Sequence, residues 1–148
     1  MERKRIKKRD IIFAKFAKVL AVLALAACLA GCGQTGLPEG FDEEKIRESA
    51  MESIGYFNNR DYKSIIAMGS EELKKSITEE QFAEAGDPFL DTRGEFQKIV
   101  KEVFAGNTDS KTGAAYGGVV MVGEYEEGKI QFTIAFDERM ELVQFLIK

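Results

Sequence analysis

The chain has 148 residues, a formal net charge of −4 at pH 7, two cysteines, and neither histidine nor tryptophan. Without histidine, these residues cannot form a Ser-His-Asp or Cys-His catalytic system, or a metal site that uses imidazole ligands. An enzyme built from them would have to use Asp, Glu, Tyr, Lys or Arg, or a metal ion held by oxygen atoms.

The N-terminal segment has the features of a bacterial export signal. Eight Lys and Arg residues and only two acidic residues lie within residues 1–18, and an uncharged run rich in Leu, Val and Ala follows over residues 19–32. This run is shorter than the roughly 20 apolar residues that a membrane-spanning helix needs. A basic region, a short apolar region and small residues at the end indicate a signal peptide.

The end of the apolar run, Leu29-Ala30-Gly31-Cys32, follows the bacterial lipobox pattern. It predicts a lipoprotein signal peptide over residues 1–31, cleaved between Gly31 and Cys32, with lipid on the Cys32 thiol. Two acyl chains would anchor the product stably at the extracytoplasmic face of the bacterial cell membrane. The box ending at Cys28 also fits but would shorten the apolar region to about ten residues. A plain signal peptide or an uncleaved anchor is the alternative.

The 117 residues from position 32 onward suffice for one domain with a modest core. They carry 13 basic and 23 acidic residues, a net charge of −10, which disfavours binding of nucleic acid or anionic lipid by the domain itself. With Cys28 removed and Cys32 lipidated, no thiol remains as a nucleophile or metal ligand. We predict no cofactor, no metal site and no nucleic-acid partner.

Residues 32–41 are interpreted as the lipidated cysteine and a flexible spacer, because three Gly and one Pro interrupt any periodic pattern there. A partly ordered lead-in is the alternative. Residues 42–148 are expected to form a single α+β domain that begins with helices. Asp42 is a good N-cap for a helix over residues 43–57, and Asp61 and Ser70 are caps for two short helices.

A capping box, Thr78-x-x-Gln81, predicts the start of another short helix with Phe82 on its inner side. Gly86 is the expected residue just beyond the end of this helix. Pro88 is expected to prevent its continuation, since proline removes a helix hydrogen bond and clashes with the preceding turn.

The second half of the chain changes to a strand pattern. In Lys129 to Phe136, large apolar residues occupy every second position, and the positions between them hold Lys129, Gln131, Thr133 and Ala135. Tyr116 to Tyr125 and Met140 to Ile147 are the predicted neighbours of this strand. Connections over residues 126–128 and 137–139 have hairpin length, which predicts an antiparallel meander. The stretch from Glu95 to Ala105 stays open: its apolar spacing is helical, but flanking glycines and the unpaired edge of the meander favour a strand.

Four stretches together resemble a bacterial family of unknown function, found in envelope lipoproteins and in front of some α/β-hydrolase domains. They are Asn59 to Tyr62, Thr78 to Phe82, Gly94 to Phe96 and Tyr125 to Asp137. The family is similar to the nuclear-transport-factor-2-like superfold. The resemblance covers roughly residues 43–148 and implies N-terminal helices packed on a curved four-stranded antiparallel β-meander, a cystatin-like or nuclear-transport-factor-2-like cone.

The resemblance also implies a strand over residues 95–105, and it supplies no catalytic residues. The chain departs from the family near the end of the last strand, where Gln144 replaces a small residue. This departure leaves the register of that strand open.

The first functional hypothesis is a non-catalytic envelope lipoprotein that binds a small ligand or a protein. A pocket between helices and sheet would be lined by four aromatic residues: Phe57, Tyr62, Phe82 and Phe136. The alternative is that these side chains simply fill the core, as most such aromatics do.

Two further hypotheses remain. An isomerase- or dehydratase-like enzyme would use an acid and a tyrosine in the hollow of the cone, from the candidates Tyr56, Tyr62, Tyr116 and Asp137. A homodimer would form through an open sheet face, because Val143, Phe145 and Ile147 alternate with Leu142 and Leu146 and both faces of that strand are apolar. A second layer of the same domain would cover one face equally well.

Overall fold

The computed structural model describes residues 34–148, with side chains from residue 36 onward. The predicted signal peptide, its cleavage after Gly31 and the lipid on Cys32 lie outside these residues. The described residues, 34–148, lie in one compact unit. Between residues 34 and 148, no helix combines the length and the apolar character that crossing a bilayer would require.

Four helices follow a two-residue strand at the start of the described residues, and each begins after a predicted cap. They are α1 (Glu43–Asn58), α2 (Tyr62–Ala67), α3 (Glu71–Ser76) and α4 (Glu79–Arg93). The side chains of Asp42, Asp61 and Ser70 accept hydrogen bonds from backbone N–H groups in the first turns of α1, α2 and α3. Thr78 and Gln81 form the predicted capping box. These bonds satisfy donors that a helix start leaves unpaired.

The predicted end of α4 at Gly86 is wrong, because the helix continues through Pro88 to Arg93. Gly86 is buried, and a Cβ there would lie 2.9 Å from Cε2 of Phe57 and 3.1 Å from the Tyr62 hydroxyl. Glycine therefore allows close packing against α1 and α2 instead of ending the helix. Beyond Pro88, the half-buried side chains of Phe89 and Leu90 pack against the core and offset the hydrogen bond that proline removes.

The strands form one antiparallel sheet in chain order. They are β1 (Gln34–Thr35), β2 (Phe96–Thr108), β3 (Ala115–Tyr125), β4 (Gly128–Asp137) and β5 (Leu142–Ile147). Each neighbouring pair is antiparallel. The α+β class and the four-stranded meander are thus confirmed, with a two-residue strand added at the β2 edge.

The stretch whose sequence pattern allowed either a helix or a strand belongs to β2. Its register with β3 shifts twice, between Phe96 and Lys98 and between Ile99 and Lys101. Each shift inserts an extra residue, so the apolar residues of β2 that pack against the core, Phe96, Ile99 and Phe104, are three and five residues apart instead of two and four. Two β-bulges therefore explain why a strand carries a helix-like apolar spacing.

The lead-in before α1, residues 34–41, pairs with the sheet and packs on it. Gln34 pairs with Gly106 and Thr35 with Ala105. Pro38 packs directly on Gly106, where a Cβ would overlap its ring, and Phe41 packs on Gly117 in the same way. These contacts fit the partly ordered lead-in, the alternative to a fully flexible spacer.

The core lies between α1 and the inner face of the sheet. Ile46, Ala50, Ile54 and Phe57 of α1 are at most 1 % exposed. The four alternating residues predicted for the inner face of β4 are fully buried: Ile130, Phe132, Ile134 and Phe136. The period-2 interpretation of this strand is confirmed, and the helices cover one face of the meander.

Candidate functional site

The four aromatic residues proposed as a pocket lining are buried in the core. The rings of Tyr62 and Phe82 stack with centroids 5.0 Å apart, and those of Phe57 and Tyr62 are 6.3 Å apart. Phe145 of β5 closes the cluster, at 5.5 Å from Phe82 and 5.9 Å from Phe57. Phe136 is fully buried. This arrangement corresponds to core filling, the alternative to a pocket lining.

The polar end of Tyr62 belongs to an ion-pair network at the surface. Its hydroxyl donates a hydrogen bond to Asp87 of α4, and Arg60 lies 2.7 Å from both Asp87 and Asp91. Burial, and then the bond to Asp87, raise the pKa of Tyr62. The bond from Tyr62, and then Arg60, lower the pKa of Asp87. At neutral pH Asp87 is an ionised acceptor with two donors, which ties α2 to α4.

Tyr56 is separate from the other enzyme candidates. Its hydroxyl donates a 2.8 Å hydrogen bond to Glu52, one turn earlier on the exposed side of α1. This bond raises the pKa of Tyr56. Its geometry is that of an ordinary i, i+4 pair on a helix surface.

Tyr116 and Asp137 are brought together by the sheet. They are cross-strand partners in β3 and β4, and both line a cleft of about 410 Å³. The other lining residues are Ser70, Glu71, Glu72, Ala114, Ala115, Glu138, Arg139 and Val143. Four carboxylates against one guanidinium make this cleft acidic, which favours a cationic ligand.

Asp137 already has a structural role in this cleft. Its Oδ1 accepts 2.9 Å hydrogen bonds from the backbone N–H groups of Arg139 and Glu141, which hold the turn between β4 and β5. Its side chain is 19 % exposed, so one face remains open to the cleft. Within the part of the chain that the structure describes, no group of three or more acidic residues is arranged to hold a metal ion.

The outer face of the sheet, opposite the helices, carries a largely apolar row of three aliphatic residues and one threonine. Directly paired residues of neighbouring antiparallel strands lie on the same face. Val103, Val120, Thr133 and Leu146 are paired in succession across β2, β3, β4 and β5. The residues that follow or precede them on each strand face the core. We call these four residues the outer row.

The outer row is only partly covered by the domain itself. Val103 is 47 % exposed, Val100 beside it is 41 % exposed, and the other three members are half-buried. An ion pair of 3.6 Å between Lys98 and Glu124 flanks the row. An apolar centre with charged residues at its margin is the usual anatomy of a protein interface.

The residues proposed for a homodimer interface divide between the two faces. Leu142 is fully buried, and Phe145 and Ile147 pack against the core, so helices of the same domain cover that side. Val143 lines the cleft, and Leu146 alone among the five belongs to the outer row. The second-layer alternative holds for the inner face. Sequence reasoning missed the outer row because its members depend on strand register.

Comparison with known proteins gives a family and a related structure. The family model described as "Protein of unknown function (DUF3887)" matches residues 50–145. An NMR structure of a protein from Ruminococcus gnavus is similar, with a TM-score of 0.69 and 37 % sequence identity over 78 % of this chain and 99 % of that chain. No curated protein matches the chain.

Proposed function

The chain belongs to the DUF3887 family of proteins of unknown function, and from that premise we propose that it is a lipid-anchored protein of the bacterial envelope whose domain is a non-catalytic protein-binding module. The proposed anchor is the lipid on Cys32, at the extracytoplasmic face of the membrane, supported by the signal-like residues 1–31. We further propose that the domain belongs to the nuclear-transport-factor-2-like superfold, and the packing of helices on one face of an antiparallel meander supports this.

The observation that carries the binding function is the outer row. Helices fill the inner face of the sheet, whereas Val103 on the outer face leaves nearly half of its surface in solvent. Burying such a row against a partner removes apolar area from water, at about 25 cal/mol per Å². The proposed partner is a protein, since the net charge of −10 over residues 32–148 disfavours nucleic acid and anionic lipid as ligands.

Site-specific photo-crosslinking in the producing bacterium tests this function. A photoreactive residue at Val103 is expected to give one discrete adduct, and the same residue at Glu80, exposed on α4, is the control that should give none. Adding Val120→Lys to the protein that carries the photoreactive residue at position 103 should remove the adduct. An adduct of twice the chain mass would identify a second copy as the partner. Equal labelling from both positions would contradict the proposal.

A second candidate function is small-molecule binding or catalysis in the cleft, with isomerase- or dehydratase-like chemistry. It is favoured by one observation: Tyr116 and Asp137 line the same cavity as cross-strand partners. Native mass spectrometry after incubation with envelope extract tests it. Wild type should retain a small molecule at fixed stoichiometry, Tyr56→Phe should retain it too, and Tyr116→Phe should lose it. An empty wild-type protein would reject this candidate.

A further inference from the structure

The chain enters the sheet at a defined edge and in a defined direction. β1 pairs with β2 through Gln34 opposite Gly106 and Thr35 opposite Ala105. β2 runs toward the loop that leads into β3, residues 109–114, which we call the β2–β3 loop. Because β1 is antiparallel to β2, it runs away from this loop. Gln34, the first described residue, therefore lies at the end of β1 that is nearer to the β2–β3 loop.

The residues between β1 and the first helix are held in place by contacts with the sheet. Pro38 is seated on Gly106, and a Cβ on Gly117 would lie 2.5 Å from Cδ1 of Phe41. The Phe41 N–H donates a 3.3 Å hydrogen bond to the Pro38 carbonyl. Asp42 then caps α1. Contacts with β2 and β3 thus fix the position of the lead-in on the domain.

The lipid proposed for this chain would be attached very close to that fixed point. Cys32 precedes Gln34 by two residues, and two residues of extended chain span at most about 7 Å. A lipidated cysteine lies at the membrane surface. We infer that the tether holds the domain with its β2–β3 loop against the bilayer, an inference that rests on the lipid anchor proposed above.

This orientation places the two ends of the sheet at different heights above the membrane. β3 has 11 residues, and at about 3.4 Å per residue the opposite hairpin, at residues 126–127, lies roughly 35 Å farther out. The outer row then faces sideways, where another protein in the envelope can reach it. The cleft, at the start of β3 and the end of β4, lies near the lipid headgroups.

Electrostatic attraction does not explain this orientation. The β2–β3 end of the domain carries the acidic cleft, with Glu71, Glu72 and Glu138 on its lining. Acidic residues are repelled by anionic headgroups. The short tether and the antiparallel register of β1 are what hold this end at the surface, so the orientation depends on tether length.

Energy transfer from single sites to the membrane surface tests the inference. Full-length protein, processed and lipidated in its host, is reconstituted into phosphatidylcholine vesicles that carry an acceptor dye on their headgroups. Ser110→Cys and Glu127→Cys, both at exposed positions, each introduce one free thiol for a donor dye. Transfer from position 110 is expected to be several-fold stronger than from position 127. Equal transfer, or stronger transfer from position 127, would overturn the inference.

A variant with a longer tether tests whether the short tether is the cause of the orientation. Ten Gly and Ser residues inserted between Gly33 and Gln34 span roughly 17 Å as a flexible coil, and the difference between the two positions should shrink. A difference that persists unchanged would overturn the role of the tether. Vesicle flotation is scored first: protein that fails to float contradicts the lipid anchor itself, whereas floating protein with equal transfer contradicts only the orientation.

Discussion

The hydroxyl group of Tyr125, at the end of β3, donates a 2.6 Å hydrogen bond to Oδ1 of Asn58, the last residue of α1. Tyr125 is 3 % exposed, and burial raises its pKa, so the hydroxyl keeps its proton at neutral pH. Its ring also makes an edge contact with Phe96, with centroids 5.4 Å apart. One side chain thus joins the end of the first helix to two strands of the sheet.

Removing this hydroxyl should weaken the domain measurably. Tyr125→Phe leaves the side-chain amide oxygen Oδ1 of Asn58 without its donor, and the free energy of unfolding is expected to fall by about 1 kcal/mol. Urea denaturation measures the change. Tyr56→Phe is the matched control, because its hydroxyl bonds Glu52 on the helix surface, and its effect should stay within about 0.5 kcal/mol. Equal effects would argue against a structural role for the Tyr125 bond.

Two helical glycines should respond in opposite ways to the same substitution. Gly86→Ala places a Cβ 2.9 Å from Cε2 of Phe57, and the resulting overpacking should cost about 1–3 kcal/mol. Gly55→Ala on α1 meets nothing within 4 Å and should stabilise by roughly 0.5–1 kcal/mol, since alanine is the better helix former. Thermal unfolding compares the two. Stabilisation by both would mean that α4 does not pack closely at Gly86.

The sequence predicted those elements whose determinants are local. The caps at Asp42, Asp61 and Ser70 and the alternation of β4 depend on neighbouring residues only, and the structure has them where they were expected. The continuation of α4 through Pro88 was not predictable in this way. It depends on Phe57 and Tyr62, which are near Gly86 in space but distant in the chain.

Register explains the other limits of the sequence interpretation. The two bulges give the strand β2 an apolar spacing that resembles that of a helix, and no local feature of the sequence marks where they occur. Another shift, between Ala135 and Phe136, sets the register of β5 and pairs Gln144 with Ala135. Among the described side chains, Nε2 of Gln144 is buried without a hydrogen-bond partner. The outer row follows from these registers, so it emerged only with the structure.

Acid should weaken the contact between α2 and α4. The folded state lowers the pKa of Asp87 through the bond from Tyr62 and the Arg60 pair, relative to about 3.9 in an unfolded chain. The contribution of ionised Asp87 is therefore complete above about pH 4 and is lost as the pH falls through the lower folded pKa.

The free energies of unfolding of wild type and Asp87→Asn, measured by denaturation from about pH 2.5 to about pH 7, test this pH dependence, because that range brackets the titration of the Asp87 carboxyl. Wild type should be the more stable protein at neutral pH, and the difference should shrink toward the acid end. Glu80→Gln, an exposed change on the same helix, should leave a small difference at every pH. A difference in stability between wild type and Asp87→Asn that does not vary with pH would contradict a stabilising role for the ionised Asp87 carboxylate.

The lipid anchor is the central claim, and the two signal-region cysteines offer a matched pair for testing it. Intact mass and N-terminal peptide analysis of protein from the producing cells should find Cys32 as the first residue, carrying a diacylglyceryl group. Cys28→Ala should give the same product, and Cys32→Ala should give no lipidated protein. A mature chain that starts at another residue, or lipid that persists in Cys32→Ala, would contradict the claim.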